Sequence, residues 1–249
     1  MMPIVVFTDL DDTLFQTAEK AAARAGDGPL IAAAHDRGGA PLSFHAPDQI
    51  ALLELFDGAH LIPVTGRNGA ALDRVVSPRF ESFRITGHGA MIYDVDGAPL
   101  ASWHARIQAE AMRLEPLFEA LLRTLDEQFA PRAPAWRWRL IEDAAVPVYI
   151  TVKAEANVPL PEAATLQSVL DARGLDDWRV HCNGRNAALL PPYACKAAAV
   201  RHLMELIAAQ APRTLFIGLG DSNSDTPYLK LCHFALTPRD SQIHQELWT

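Results

Sequence analysis

Residues 5–15 read VVFTDLDDTLF, and this stretch decides the fold. An apolar, mostly β-branched run ends abruptly in three carboxylates, Asp9, Asp11 and Asp12. Such a run predicts a strand that is buried on both faces of a parallel sheet. In doubly wound sheets, ligands bind beyond the carboxyl ends of the strands. The stretch therefore predicts an α/β fold with an acidic site at the tip of its first strand.

Short apolar runs of the same kind recur along the chain, and helical patterns lie between them. The predicted strands are 3–8, 60–65, 83–86, 214–220 and 233–237, and the predicted helices are 48–58 and 194–210. An alternation of strands and helices is typical of a doubly wound parallel sheet. We therefore predict an α/β core of this architecture.

The middle of the chain follows a different pattern. It predicts a long helix over 106–130, bent or interrupted near Pro116, a second helix over 161–174, and strands over 136–143, 146–153, 177–183 and 186–191. The order α-β-β-α-β-β favours an antiparallel sheet with helices on one face. We predict an inserted α+β cap domain over 103–185 and a core domain that comprises 1–102 and 186–249.

Composition and charge narrow the class of protein. The 249 residues carry a formal net charge of −8, which argues against a general nucleic-acid binder. The three cysteines are widely spaced and form no C-x-x-C pair, which favours a reducing compartment. The sequence has no signal-peptide pattern and no apolar run of the roughly 20 residues that cross a bilayer. We expect a cytoplasmic protein without a membrane or nucleic-acid partner.

Polar residues gather where the predicted core strands end. They are Asp9 and Asp11 after the first strand, Thr65 and Gly66 after the second, Asp221 and Asp225 after the late strand, and Lys196 at the start of the preceding helix. Several carboxylates at one edge repel one another unless a cation joins them, and oxygen ligands without a His/Cys cluster favour Mg²⁺. A hydroxyl and an ammonium suit phosphoryl oxygens, and a carboxylate can attack phosphorus. The pattern indicates phosphoryl-transfer chemistry.

Four motifs in this order resemble those of the haloacid dehalogenase (HAD) superfamily of phosphatases. They are DLDDT (9–13), VTGR (64–67), Lys196 and GDSNSD (220–225). The insertion resembles the class II, subtype B caps of the Cof-like and sucrose-phosphatase-like branch. TGHGAMIYD (86–94) is also similar to a segment of that branch. The resemblance covers most of the chain, but 16–47 and the tail SQIHQELWT align with no family feature.

The resemblance implies a role for each matched residue. Asp9 is expected to attack phosphorus, and Asp11 to protonate the leaving alcohol and then activate water. Thr65, Gly66 and Lys196 are expected to hold the phosphoryl oxygens.

The resemblance also implies a cofactor and a substrate class. Mg²⁺ is expected between Asp9, the backbone carbonyl of Asp11, and Asp221, with Asp225 in support. The expected substrate is a small phosphate monoester, such as a sugar phosphate or a phosphorylated sugar acid. Two positions depart from the family pattern, because His88 replaces an Asn and Asp12 replaces a Gly.

Strand periodicity predicts a basic face on the cap sheet. Alternate residues of a strand face opposite sides, and one side collects Arg137, Arg139, Lys153, Arg179 and His181. In caps of this resemblance the open sheet face looks down on the active site, so these residues are candidates for binding the leaving group. The alternative is that the face is basic only because it is solvated.

Other interpretations remain for single motifs and for the whole chain. The DLDDT cluster alone could cap a helix. The glycines Gly218 and Gly220 fail the dinucleotide fingerprint, because position 223 is Asn223. At the level of function, a sugar phosphomutase of the same fold and a non-catalytic phospho-ligand binder are the alternatives.

Overall fold

A computed structural model describes residues 3–26, 28–130, 135–155 and 158–248, and for residues 247 and 248 it describes the backbone only. The chain divides into two compact units. The first comprises Met1–Ala98 and Lys196–Thr249, and the second comprises Pro99–Cys195. We call them the core unit and the cap unit.

The elements alternate between strands and helices in the core unit. Its first segment contains β1 (Ile4–Thr8), β2 (Gln16–Thr17), α1 (Ala18–Ala25), β3 (Ile31–His35), β4 (Pro41–His45), α2 (Pro47–Leu55), β5 (His60–Pro63), α3 (Gly69–Leu72), β6 (Arg84–Thr86) and β7 (Met91–Tyr93). The cap unit contains α4 (Ala101–Phe129), β8 (Trp136–Asp143), β9 (Val146–Ala154), α5 (Ala163–Asp171), β10 (Arg179–Asn183) and β11 (Asn186–Leu190). The second core segment contains α6 (Lys196–Gln210), β12 (Leu215–Leu219), α7 (Thr226–Leu229), β13 (Phe234–Leu236) and α8 (Gln242–Trp248).

The core sheet confirms the predicted α/β architecture. Its strand order is β13-β12-β1-β5, and all three pairings are parallel. A parallel bridge between Val64 and Ile85 extends the sheet beyond β5 to β6. Strand β1 lies in the middle, which explains why its residues Val5, Val6 and Phe7 are buried and read as an unbroken apolar run. The carboxyl ends of β12, β1, β5 and β6 therefore meet at one edge.

The segment 16–47, which matches no family feature, folds as a small antiparallel sheet. Its strand order is β2-β4-β3, and helix α1 follows β2. Buried side chains attach it to the loop after β1. The Nδ1 atom of His45 lies 2.8 Å from the carbonyl oxygen of Leu14, and Gln49 of the following helix α2 donates from Nε2 to the carbonyl of Thr13 at 3.1 Å. The segment 16–47 thus supports the loop that carries Asp11.

The cap unit has the predicted order of elements, and its sheet has the antiparallel order β10-β11-β9-β8. Helix α4 packs on β8 and β9, and α5 packs on β10. The buried rings of Phe118 and Trp178 meet edge to face at 4.9 Å. Helix α4 continues without interruption through Pro116.

The structure moves both domain boundaries. The predicted boundary at 185/186 falls inside the cap sheet, because β11 pairs with β9 and β10. The cap unit accordingly extends to Cys195, and it begins at Pro99 rather than at 103. No helix in the described part of the chain is long and apolar enough to cross a membrane.

Candidate active site

The carboxyl edge of the core sheet brings together an ammonium and two buried carboxylates. Lys196 Nζ donates to Asp9 Oδ1 and to Asp225 Oδ1, at 2.7 Å in each case. All three side chains are buried, and Asp225 has no exposed surface. Because a buried charge requires a close partner, this contact fixes the relative positions of β1, α6 and the loop after β12.

A third carboxylate completes the cluster. Oxygens of Asp9, Asp221 and Asp225 all lie within 4.8 Å of one another. Asp225 Oδ2 accepts hydrogen bonds from the backbone N–H groups of Asp221 and Ser222 and from the Ser222 hydroxyl, and its Oδ1 accepts from Lys196. Both Asp225 oxygens are therefore occupied by protein donors. Asp9 and Asp221 are better disposed to hold a cation directly.

The close packing of this loop explains Gly220. A Cβ atom at this position would lie 2.6 Å from Asp225 Cβ. The glycine therefore allows Asp225 to approach the end of β12, and it has no relation to a dinucleotide fingerprint.

Electrostatics favour an added cation at the cluster. Burial raises the pKa of Asp9, and the Asp225 and Asp221 carboxylates raise it further, although Lys196 opposes them. Burial and the Asp225 carboxylate likewise raise the pKa of Asp221 to about 7. Burial lowers the pKa of Lys196, but the carboxylates of Asp225 and Asp9 outweigh it and keep the ammonium charged. Three carboxylates share one ammonium, so a bound divalent cation would relieve their repulsion.

The backbone around Asp9 is held by a buried tyrosine. The Tyr228 hydroxyl donates to the carbonyl of Leu219. The Tyr228 hydroxyl oxygen in turn accepts a hydrogen bond from the Asp9 N–H at 3.2 Å. The Asp9 N–H also donates to the Leu219 carbonyl at 2.9 Å. Tyr228 has no exposed surface. Its role was not evident from the sequence, since nothing local distinguishes it from a core aromatic residue.

The Asp11 carboxylate makes a two-point ion pair with Arg67, the last residue of VTGR. Arg67 Nε donates to Asp11 Oδ2 at 2.8 Å, and Nη2 donates to Oδ1 at 2.7 Å. The guanidinium lies 5.1 Å from the Phe15 ring centroid, and the Arg67 side chain is 15% exposed. Desolvation lowers the pKa of Arg67, but its hydrogen bonds and Coulomb attraction to Asp11 raise it overall. Arg67 belongs to the VTGR motif, but the sequence alone predicts no role for it.

Thr65 and Gly66 follow the end of β5, whose last residue, Pro63, pairs with Thr8 of β1. Thr65 is 1% exposed, and its hydroxyl oxygen accepts from the Arg67 N–H at 3.1 Å. The loop Thr65–Arg67 is flanked by the turn Gly87–Gly89 after β6, where His88 is buried. The predicted phosphate-binding residues therefore occupy the same edge as the carboxylates.

Asp12, which stands where the family has Gly, adopts a left-handed backbone with φ 64°. Glycine suits such a position best, and Asp is among the side chains that tolerate it. Both carboxylate oxygens of Asp12 accept from Lys20 of α1 at 2.8 Å. The pair ties Asp12 to the 16–47 segment, in agreement with the absence of a predicted catalytic role.

The C-terminal helix α8 holds the loop that carries Asp221 and Asp225. The Asn223 N–H donates to Gln242 Oε1 at 2.9 Å, and Asn223 Nδ2 donates to Glu246 Oε1. The Ile243 N–H donates to the carbonyl of Asp221 at 3.1 Å. The tail that matched no family feature therefore belongs to the site. The short, polar sequence of α8 gave no signal of this.

Strand register places the five predicted cap residues on one face of the cap sheet. Arg137 is opposite Lys153, and Arg139 is in the same cross-strand row as His181. Arg137 pairs with Glu155 at 2.7 Å, and Arg179 donates to the Ala194 carbonyl.

The two faces of the cap sheet are not simply one open and one covered face. The face with the cations is not uniformly open, because Thr151 and Ala188, which lie between the longer side chains of Arg139 and His181, are buried. Cys182, which points to the opposite side of β10 from His181, is exposed, because β10 is an edge strand.

No protein-family model and no curated protein sequence matches the chain. Among solved structures, the sucrose-phosphatase from Synechocystis sp. PCC6803, determined with sucrose and phosphate, is 17% identical with a TM-score of 0.59 over 100% of this chain and 87% of that chain. Thermoplasma acidophilum 0175 is 13% identical with a TM-score of 0.59, and the match covers 99% and 89% of the two chains. The C-terminal domain of the C. albicans trehalose-6-phosphate phosphatase is 14% identical with a TM-score of 0.56, covering 92% and 73%.

These likenesses establish the class of fold. The chain shares the fold of these solved structures, with an α/β core and an inserted α+β cap. The motif resemblance and the structural neighbours agree on this point.

Proposed function

We propose that the protein is a Mg²⁺-dependent phosphoric monoester hydrolase that forms an aspartyl-phosphate on Asp9. The observation that carries the proposal is the Lys196 ammonium between the Asp9 and Asp225 carboxylates, with Asp221 within 4.8 Å. The HAD phosphatase fold of the chain supports the same chemistry. A purely binding protein has no evident need for both Asp9 and Asp11.

The residues present fit a magnesium ion. Asp9 Oδ1 is taken by Lys196, and no described donor contacts its Oδ2. Asp9 and Asp221, with the backbone carbonyl of Asp11, would supply hard oxygen ligands, while Asp225 orients the loop and Lys196. When bound, Mg²⁺ supplies positive charge that offsets the carboxylates and the phosphoryl oxygens.

In the first half-reaction, an Asp9 carboxylate oxygen forms a bond to phosphorus and the bond from phosphorus to the ester oxygen breaks. Asp11 gives a proton to the departing oxygen, so that a neutral alcohol leaves. The Thr65 hydroxyl, the Gly66 N–H and the Lys196 ammonium bind the phosphoryl oxygens. The backbone bonds of Asp9 to Leu219 and Tyr228 keep the nucleophile in position.

In the second half-reaction, water attacks phosphorus and the Asp9–phosphate bond breaks. Asp11 takes a proton from the water, which restores the starting protonation state and releases inorganic phosphate. Asp11 must therefore alternate between a protonated and an ionised form. The two hydrogen bonds from Arg67 fix the orientation of the Asp11 carboxyl group.

The substrate is proposed to be a small, polar phosphate ester such as a sugar phosphate. Two of the similar structures are phosphatases whose names refer to sucrose and to trehalose 6-phosphate. The cations on one face of the cap sheet, Arg137, Arg139, Lys153, Arg179 and His181, suit hydroxyl groups or a second anion of the leaving group.

Alanine substitutions test the role of the cap cations. Arg139→Ala and Arg179→Ala should lower kcat/KM for the best sugar phosphate and leave p-nitrophenyl phosphate unaffected, because the latter has no sugar to bind. Arg173→Ala, at an exposed arginine after α5, is the matched control. Unchanged kcat/KM in both test variants would favour a merely solvated face.

A phosphate-release screen tests the proposed function itself. The purified protein is given hexose and disaccharide phosphates, phosphorylated sugar acids, nucleotides and p-nitrophenyl phosphate, with Mg²⁺ or with excess chelator. We expect phosphate release that depends on Mg²⁺ and returns when Mg²⁺ is restored. An isomeric sugar phosphate without free phosphate would indicate a phosphomutase, and phosphate-ester binding without turnover would indicate a binding protein.

A further inference from the structure

His88 occupies an unusual position at the catalytic edge of the sheet. It follows β6, and its backbone is left-handed with φ 57°. Its side chain is buried, with 8% exposed. A non-glycine residue in this conformation is strained, and such residues persist where the surroundings hold them. From this position and the contacts below, we infer that His88 is a positioning residue for the phosphate-binding loop Thr65–Arg67. The inference rests on the proposed function.

The imidazole of His88 lies directly against Gly66. A Cβ atom at position 66 would lie 2.5 Å from Nε2 and 2.6 Å from Cε1 of His88, distances at which atoms overlap. The backbone of Gly66 is outside the left-handed region. The ring therefore accounts for the glycine by itself, and Gly66 and His88 form a matched pair.

The backbone of the same turn orients the loop on both sides of Gly66. The His88 N–H donates to the Thr65 carbonyl at 2.9 Å, and the Gly87 N–H donates to the Arg67 carbonyl at 2.8 Å. In a trans peptide the C=O and the N–H point in opposite directions. The bond to the Thr65 carbonyl therefore directs the Gly66 N–H away from the turn.

Ring and backbone thus have separate tasks in this turn. The two N–H groups set the direction of the peptide groups, and the ring holds the Gly66 Cα against displacement. Helix α6, which begins at Lys196, packs against the same turn. The turn therefore joins two parts of the proposed phosphate site, and a loosened ring contact should weaken phosphate binding before it weakens the fold.

Replacement of His88 by glycine separates these two tasks. Glycine accepts the left-handed conformation and keeps both N–H donors, so His88→Gly removes only the ring. The inhibition constant of inorganic phosphate and the KM of p-nitrophenyl phosphate should rise by about tenfold, below the roughly 10²-fold loss that a 1 Å misplacement can cause. The kcat should change less than KM. For His88→Asn, which restores the family residue, both constants should lie between those of the wild type and those of His88→Gly.

The reciprocal variants make the coupling specific. Gly66→Ala alone should destroy phosphate binding or lower the thermal unfolding temperature, because the methyl group overlaps the ring. In the double variant Gly66→Ala/His88→Gly the space is open, so phosphate inhibition and thermal stability should recover towards those of His88→Gly. If Gly66→Ala alone does not fold, recovery of folded protein in the double variant reports the same coupling.

Ala145→Gly is the matched control. Ala145 is also a non-glycine residue in the left-handed region, with φ 59°, but it lies in the turn between β8 and β9 of the cap unit. It should leave the phosphate inhibition constant unchanged. Additive effects of Gly66→Ala and His88→Gly, or an unchanged inhibition constant in His88→Gly, would overturn this inference alone. A wild-type protein that neither hydrolyses phosphate esters nor binds phosphate would overturn the proposed function as well.

Discussion

The Asp11–Arg67 pair explains why the family motif VTGR ends in arginine in this chain. A guanidinium matches both oxygens of a carboxylate at once, whereas a lysine ammonium acts as a point charge. The Arg67 guanidinium also packs over the Phe15 ring. The pair sets the orientation of the proposed acid–base, and one of its two bonds must loosen when Asp11 carries a proton.

Arg67→Lys should lower kcat/KM for an alkyl phosphate ester by about 10- to 100-fold, because Asp11 loses its fixed orientation. The loss for p-nitrophenyl phosphate should be smaller, since that leaving group departs without a proton. Steady-state kinetics on the two esters measures the difference. Arg84→Lys, at a half-buried arginine that pairs with Asp73, is the control and should leave both values unchanged. Equal losses on both esters would contradict a role through Asp11.

The C-terminal helix and the 16–47 segment both support loops of the site from outside the central sheet. Helix α8 holds Asn223 through two side chains. The segment 16–47 contacts the loop after β1 through His45, and Gln49 of the following helix α2 adds a second contact. Such supporting elements restrict the positions of catalytic groups without touching the substrate. Their removal should therefore affect affinity for the cation more than the chemical step.

The double variant Gln242→Ala/Glu246→Ala should raise the Mg²⁺ concentration required for half-maximal activity by about 5- to 10-fold. The reason is the loss of two hydrogen bonds to Asn223, each of roughly 1 kcal/mol, which loosens the loop of Asp221. At saturating Mg²⁺, kcat should approach that of the wild type. The control is Gln210→Ala, an exposed glutamine at the end of α6. An unchanged Mg²⁺ requirement would contradict a role for α8 in holding the loop of Asp221.

Much of the molecule was predictable from sequence because strong local patterns coincide with the chemistry. The apolar run of β1 and the motifs at strand ends predicted the core sheet and its edge, and the two-residue alternation predicted the shared face of Arg137 and Arg139. The ion pair of Arg67 with Asp11 was not predictable, because it depends on a contact between residues far apart in sequence. The same is true of the β11 boundary and of Tyr228, whose roles appear only when distant segments meet.

The thermal stabilisation of the protein by Mg²⁺ should depend on pH. The folded-state pKa of Asp221, about 7, lies above its unfolded value near 4. Its contribution to stability is therefore fully present below about pH 4 and is lost as the pH rises through about 7. A bound cation offsets the loss, so Mg²⁺ should raise the thermal unfolding temperature more at about pH 8 than at about pH 5.5.

Thermal unfolding with and without Mg²⁺ at the two pH values checks this expectation. Asp221→Asn should remove most of the Mg²⁺ effect, whereas Asp96→Asn, at an exposed carboxylate, should retain it. An equal Mg²⁺ effect at both pH values would contradict competition between the cation and a proton at Asp221.

The covalent state of Asp9 during turnover tests the proposed mechanism most directly. The protein is mixed with Mg²⁺ and its best ester, quenched in acid within the first turnovers, and digested for mass spectrometry. We expect a phosphoryl group on the peptide that contains Asp9, absent from Asp9→Asn, which should also lack turnover. Substantial turnover by Asp9→Asn, without a phosphorylated peptide in the wild type, would contradict the account.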